Sequence, residues 1–158
     1  MSARRIIKEL HNMQENPDKD FWFEFLDYSD IYNLIAKIKG PPNSPFYEGI
    51  FDLKIIFPQN YPFNPPNVSF ITNIFHPNIS SKGFLCLKIL ERDWSPYMNL
   101  SKVLQSVIYL LEYPNPDDVM NTEVVEIYNV DRLLFDSIAR DWVQRYASPD
   151  IIANKKYN

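Results

Sequence analysis

Four runs of alternating side chains in the first half of the chain do most to constrain its fold. Apolar residues take every second position over residues 21–26, 34–39, 51–57 and 68–70, which is the period of a β-strand. The links between the runs are short and contain prolines, as in Gly40-Pro41-Pro42 and Pro58-Gln59-Asn60. Because a parallel crossover needs a dozen or more residues, these links predict a four-stranded antiparallel meander.

Helical periodicity flanks these runs on both sides. Before them, Ser2 is placed to cap a helix whose apolar face includes Ile6 and Leu10. After them, apolar residues recur at helical spacing over residues 100–111, 122–130 and 131–146. The first of these helices is apolar nearly all round and is expected to be central. The order predicts one α+β domain over residues 1–147, followed by a short polar C-terminal extension over residues 148–158.

Residues 71–99 keep neither period for long. A stretch of about thirty residues without a regular element is uncommon in a compact domain and is usually either functional or disordered. This one carries His76, Cys86, Trp94 and the rings of Pro77 and Pro96, so it is too rigid and aromatic for a disordered tail. We therefore predict a long functional loop.

The residue counts narrow the chemistry that this loop can support. The chain of 158 residues has 1 cysteine, 2 histidines, 3 glycines and 13 prolines, and its formal net charge is -4. A lone cysteine cannot form an internal disulfide, and a Cys/His zinc site would lack ligands. A general nucleic-acid binder should be basic, and no apolar run approaches the length of a signal-peptide core or a membrane span. These features predict a protein of the cytoplasm or nucleus that binds no metal, nucleic acid or membrane.

Three local interpretations of Cys86 are open. Arg92 follows at the interval of a cysteine-phosphatase loop, but the residues between them are bulky where backbone N–H groups would have to turn toward phosphate. A Cys–His hydrolase would use His76 as its base, yet no residue is evidently suited to orient the imidazole. The third interpretation is a small buried hydrophobe, the commonest fate of a free cysteine.

A wider set of ordered motifs resembles the ubiquitin-conjugating enzymes. His76-Pro77-Asn78 precedes Cys86-Leu87, Trp94-Ser95-Pro96 follows, and Tyr61-Pro62-Phe63-Asn64-Pro65-Pro66 comes before them. Further agreement is found in Gly40-Pro41, Tyr47 with Gly49, Asn115-Pro116-Asp117-Asp118 and Asp131-Arg132. The resemblance runs from about Arg4 to Tyr146. It implies the ubiquitin-conjugating-enzyme fold: an N-terminal helix, a four-stranded antiparallel meander, a long active-site loop and C-terminal helices.

The resemblance also implies a catalytic site. Cys86 would accept ubiquitin from an activating enzyme as a thioester and pass it to a substrate lysine with a ligase. Asp118 matches the acidic residue that helps to orient and deprotonate that lysine. Asn78 matches a residue that either donates its amide to the oxyanion or braces the loop, and both roles stay open. His76 and Pro77 are assigned to loop structure rather than to proton transfer.

Partner surfaces follow from the same resemblance. Arg4, Arg5 and Lys8 match first-helix cations that meet the activating enzyme, although a solvated face accounts for them equally well. Phe63 and Pro96 match the hydrophobic contact for RING or HECT ligases. ATP is used by the activating enzyme, so we expect no cofactor here, and we expect a monomer.

Several positions depart from the family pattern. Lys88 stands where relatives commonly carry aspartate, Tyr97 replaces a small residue in the ligase-facing loop, and residues 119–121 lack the usual proline. Residues 21–30 match poorly, so the noncovalent second ubiquitin site of some relatives is not transferred to this sheet. Two other functions stay open: conjugation of another ubiquitin-like modifier, and a non-catalytic scaffold that binds ubiquitin or a ligase.

Overall fold

The computed structural model describes residues 1–157. Helix α1 (Ser2–Glu15) is followed by four strands, β1 (Phe21–Phe25), β2 (Asn33–Lys39), β3 (Ile50–Ile56) and β4 (Asn67–Phe70). After a long loop come helices α2 (Leu100–Glu112), α3 (Thr122–Val130) and α4 (Arg132–Trp142), then a π-helical turn (Val143–Ala147) and α5 (Pro149–Ala153). None of the helices in the described part of the chain is both long and apolar enough to span a membrane. The predicted α+β class and order of elements are confirmed.

The strands form one antiparallel sheet in the order β1-β2-β3-β4. Its register aligns Ala36 of β2 with Phe23 of β1 and with Leu53 of β3. This face of the sheet packs into one apolar core with buried residues of α1, α2 and α4. On the opposite face, which we call the outer face, the register aligns Lys37 with Asp52. The sheet therefore has one face toward the core and one face away from it, as alternating side chains require.

The start of α1 differs from the prediction. Met1 occupies the N-cap position, and no side chain in the described structure caps the helix. Ser2 lies inside the first turn, where its hydroxyl oxygen is 2.7 Å from the hydroxyl oxygen of Tyr32. The predicted Ser2 cap is wrong, because a tertiary hydrogen bond uses the hydroxyl that a cap would need.

Helix α2 crosses the core but is not covered on all sides. Asn99 caps it by accepting a hydrogen bond from Lys102 N at 2.9 Å. The core side is formed by six buried residues, Leu100, Val103, Leu104, Val107, Leu110 and Leu111. The opposite side exposes Gln105 and Tyr109, the latter by 64%. The helix is central, as expected, and its exposed side lies beside the long loop.

The C-terminal elements begin and end close to their predicted positions. Helix α3 occupies residues 122–130, and Asp131 caps α4 by accepting from Leu134 N at 3.0 Å. The predicted extension over residues 148–158 contains α5, in which Ile152 is only 4% exposed. Asn158, the last residue of that extension, lies outside the described residues.

Candidate active site

The long loop is anchored to the sheet at Gly83. Phe70 N, at the end of β4, donates to Gly83 O at 2.8 Å. Gly83 has a φ of 87°, and a Cβ atom at this position would lie 2.1 Å from Phe70 O. Only glycine tolerates both conditions. Beyond this contact Ile79 and Leu85 pair across the turn, and Cys86 follows at once.

His76 fixes the first part of the loop from within the core. Its ring is fully buried, Nε2 donates to Leu110 O at 2.9 Å, and Nδ1 accepts from Asn78 N at 3.0 Å. Burial lowers the pKa of His76 to about 4, although the bond to Leu110 O opposes this. A neutral ring with both nitrogens engaged is not available to Cys86 as a base. The hydrolase interpretation therefore fails, and in this structure His76 organises the loop.

Asn78 joins the loop to the segment that follows α2. Its side chain is fully buried, and Nδ2 donates to Asn115 O and to Asp118 O, each at 2.6 Å. Its Oδ1 accepts from Asn115 N at 2.8 Å. Both amide hydrogens are in use. This is the geometry of the bracing role, and donation to an oxyanion would require one of these bonds to break.

Asp118 faces the thiol from this braced segment. Its Oδ2 accepts a hydrogen bond from Asn115 Nδ2 at 2.8 Å. The backbone N–H of Cys86 in turn donates to Asn78 O at 3.4 Å. The Asp118 carboxylate is close enough to Cys86 to raise the pKa of its thiol. The structure thus brings Cys86, Asn78 and Asp118 together from two distant stretches of chain. Asn115 was not singled out from the sequence, although the Asn-Pro-Asp-Asp motif that contains it was.

Cys86 is half-buried rather than part of the core, so the interpretation as a buried hydrophobe is wrong. Burial raises the pKa of its thiol, Asp118 and Glu91 raise it further, and Lys88 lowers it. Arg92, which a phosphatase loop would aim at phosphate, is exposed and does not line the groove in which Cys86 lies. Two acids, Asp118 and Glu91, thus act on the thiol beside one lysine, Lys88, and the acids disfavour a phosphate at this position.

An open groove of about 710 Å³ runs from Cys86 along α2. Loop residues 86–89 form one wall, and the exposed side of α2, including Lys102, Gln105 and Tyr109, forms the other. This groove was not predicted from the sequence, although the helical spacing of those three residues within an otherwise apolar helix was an available signal. Among the described residues, no three His, Cys, Asp or Glu side chains are arranged to hold a metal ion.

The predicted activating-enzyme contacts do not share one environment. Arg4 and Lys8 are exposed. Arg5 instead turns toward the loop, where its guanidinium donates to Pro96 O at 3.0 Å and to Met98 O at 2.7 Å. Two of the three cations are therefore free to meet a partner directly, whereas Arg5 is part of the internal structure.

Glu9 supports the site through contacts that were not predicted from the sequence. Its Oε1 accepts from Arg5 Nε at 2.6 Å and from the Tyr61 hydroxyl at 2.7 Å, and its Oε2 accepts from Leu100 N at 2.9 Å. Burial and the Glu9 carboxylate raise the pKa of Tyr61, so the phenol stays a hydrogen-bond donor. One carboxylate thus connects α1, the proline-rich loop and the start of α2. No local spacing signals such a contact.

The predicted ligase contacts lie on neighbouring loops. Phe63 is 63% exposed, and Pro96 is also exposed. Trp94 Nε1 donates to Pro62 O at 2.9 Å, which ties the two loops together. Tyr97, one of the departures from the family pattern, is 89% exposed and adds an aromatic ring to this apolar surface.

The likeness to known proteins extends over nearly the whole chain. The sequence model of the family described as Ubiquitin-conjugating enzyme matches residues 5–143. The E2 domain of a Toxoplasma gondii ubiquitin conjugating enzyme is 34% identical, with 94% of this chain and 100% of that chain covered and a TM-score of 0.87. A candidate ubiquitin conjugating enzyme from Plasmodium yoelii is 35% identical, with 93% and 96% covered and a TM-score of 0.87. The chain is a member of the ubiquitin-conjugating enzyme family.

Proposed function

We propose that this protein accepts ubiquitin from an activating enzyme as a thioester on Cys86 and transfers it, with a ligase, to a substrate lysine. The observation that carries the proposal is the placement of Cys86, a half-buried thiol at one end of an open groove and faced by Asp118. Membership of the family supplies the class of reaction, a transfer within ubiquitin conjugation.

The first step is an exchange of thioesters. The Cys86 thiolate attacks the carbonyl carbon of the ubiquitin thioester on the activating enzyme; a new C–S bond forms, the old one breaks, and the activating enzyme leaves as a thiolate. A thiolate performs this attack without a cofactor. The raised pKa of Cys86 limits the fraction that is thiolate, and Lys88 is the cation that opposes this rise.

The second step is attack by an amine. A lysine nitrogen forms a C–N bond with the same carbonyl carbon, the C–S bond breaks, and Cys86 leaves as a thiolate. Because an ordinary lysine has a pKa of about 10.4, nearly all of it carries an extra proton at neutral pH. Asp118 offers a carboxylate beside the thiol that attracts the ammonium group and receives its proton.

The remaining surfaces take the partners. In this proposal, Arg4 and Lys8 contact the activating enzyme, and Phe63 with Pro96 contacts a RING or HECT ligase. The groove along α2, open to solvent, receives an extended segment that leads to the thiol. ATP is consumed by the activating enzyme, and the protein works in the cytoplasm or nucleus as a monomer without a cofactor.

The test is incubation with activating enzyme, ATP and ubiquitin. We expect one ubiquitin to attach in an adduct that a thiol reductant removes, and no adduct with Cys86→Ala. Cys86→Ser is the matched control, because serine would form an oxygen ester that survives the reductant but not alkali. Absence of any adduct on the wild-type chain would overturn the proposal.

The same assay separates the two alternatives. An adduct with a different ubiquitin-like modifier, and none with ubiquitin, assigns the chain to that modifier. Binding of ubiquitin or a ligase without any adduct assigns it to the scaffold role. Cys86, Asn78 and Asp118 lie together in this chain, which favours the enzyme over the scaffold.

A further inference from the structure

The outer face of the sheet contains charged residues that are buried. Lys37 is 7% exposed and Asp52 is 0% exposed, and Lys37 Nζ lies 2.8 Å from Asp52 Oδ1. Ile35, on the same face, is 3% exposed yet lies outside the main core cluster. When helices pack on only one face of an antiparallel sheet, the other face is open to water. Burial of these residues therefore requires a cover.

The C-terminal segment is placed to supply it. Helix α5 contacts β3, and Ile152 is buried outside the main core cluster, as Ile35 is. The Tyr157 hydroxyl donates to Asp52 Oδ2. Burial raises the pKa of Tyr157, and Asp52 and Glu24 raise it further, which places the phenol as a neutral donor among the acids of the outer face.

We propose that residues 148–157 are a built-in cover of the outer face, docked through Ile152 and latched by the hydrogen bond from Tyr157 to Asp52. While the segment is docked, a protein partner cannot reach the part of this face that contains Lys37 and Asp52.

Covalent connection favours this segment over a separate protein as the occupant. Ala147, the last residue of the π-helical turn, is fully buried and fixes the point from which the segment starts. A tethered segment binds at a high effective concentration and loses little translational freedom on docking.

The segment can detach from the sheet while the rest of the domain stays folded. Helix α5 has five residues, far fewer than an isolated helix needs to be stable in water. It therefore stays helical only while docked. Residues held by few buried contacts open locally at a lower free energy than the whole domain. Lys37 and Asp52 form an ion pair with each other, so each has a partner that does not belong to the segment.

The test measures how fast an amine-reactive acetyl reagent modifies Lys37 in the full-length protein, with peptide mass spectrometry as the readout. Lys39 is the internal reference, since it is exposed on the same face of the same strand. We expect Lys37 to react slowly in the wild-type chain and at least about fivefold faster in Ile152→Asp, because the displaced segment no longer shields it.

Ile151→Asp is the matched control, since Ile151 is 37% exposed and the change adds the same charge to the same helix. It should leave the labelling of Lys37 unchanged. Tyr157→Phe, which keeps the ring and removes only the hydroxyl, should give an intermediate rate. Circular dichroism confirms that each variant is folded. Equal labelling of Lys37 in Ile152→Asp, Ile151→Asp and wild type would overturn the proposal, and so would wild-type labelling in Tyr157→Phe.

Discussion

At the scale of single residues, the buried polar groups around Cys86 are occupied in holding the main chain. His76 uses both ring nitrogens and Asn78 uses its whole amide on backbone groups. Among the described residues, the charges that shift the pKa of the thiol are those of Asp118, Glu91 and Lys88. The motifs thus contain residues that hold the main chain and an acid whose charge acts on the thiol.

Asn78→Ala tests the bracing role. The change leaves buried carbonyl and N–H groups without partners, and we expect it to lower the free energy of unfolding by about 3 kcal/mol. Asn73→Ala is the control, because Asn73 is an exposed asparagine of the same loop. Denaturant unfolding measures both. Unchanged stability together with slow discharge of the thioester would instead assign Asn78 to the oxyanion.

Lys88→Asp tests the charge beside the thiol. Because Lys88 lowers the pKa of Cys86, an acid at that position raises it, so loading with ubiquitin slows at neutral pH. Discharge to free lysine should become faster by about threefold, since the repulsion of the incoming ammonium is removed. Single-turnover assays measure both steps, with Lys82→Asp as an exposed control. Slower or unchanged discharge would contradict this account.

At the scale of elements, the main link is the one from α1 to the loop that carries Pro96. Arg5 donates to two carbonyls of that loop, and Glu9 accepts from Arg5 and from the first N–H of α2. A helix expected to meet the activating enzyme is therefore also a support of the surface expected to meet the ligase.

Arg5→Ala and Arg4→Ala should consequently have different effects. Arg5→Ala releases the carbonyls of Pro96 and Met98, so ligase-stimulated discharge should fall more than loading does. Arg4→Ala, which changes an exposed side chain, should affect loading more than discharge. Alanine maintains the helix in both variants. Equal effects on the two steps in both variants would show that Arg5 does not position the loop.

The elements themselves were predictable from the sequence, and their contacts were not. The strands and α3 follow from the local period of apolar side chains, which short-range sterics and burial enforce. The prediction that Ser2 caps α1 was wrong because the Ser2 hydroxyl is hydrogen-bonded to Tyr32, which is distant in sequence. The position of Asp118 beside Cys86 and the contacts of Glu9 also depend on long-range packing. Cys86 was singled out as the lone cysteine, but its expected catalytic role and its pairing with Asp118 came only from the ordered motifs of the family resemblance.

At the scale of the whole molecule, His76 links the loop after the sheet to α2. The pKa of His76 is about 4 in the folded protein, whereas the ordinary pKa of a histidine is 6.5. Between these values the unfolded chain binds a proton that the folded chain does not, so stability is full above pH 6.5 and is lost as the pH falls toward 4. The difference corresponds to about 3 kcal/mol of stability.

Denaturant unfolding between pH 7 and pH 4 tests this dependence. The wild type should lose stability across that window, and His76→Gln should lose less over the same range because it has no ring to protonate. His11→Gln, a change at an exposed histidine, should follow the wild type. If His76→Gln does not fold, NMR titration of the wild-type His76 ring gives the same information. A midpoint near 6.5 would contradict the expected burial effect.

The hydrogen bonds from Asn78 to main-chain carbonyls determine which nearby substitutions this sequence can tolerate. Because Asn78 holds the backbone of Asn115 and Asp118 rather than their side chains, neighbouring positions can be substituted without moving the acid. Val119, which is half exposed, is one such position, and it departs from the pattern of relatives. Asn78 itself cannot be substituted in this way, because only asparagine offers two donors and an acceptor on a side chain of that length. The loop can thus diversify around an acid that remains beside the thiol.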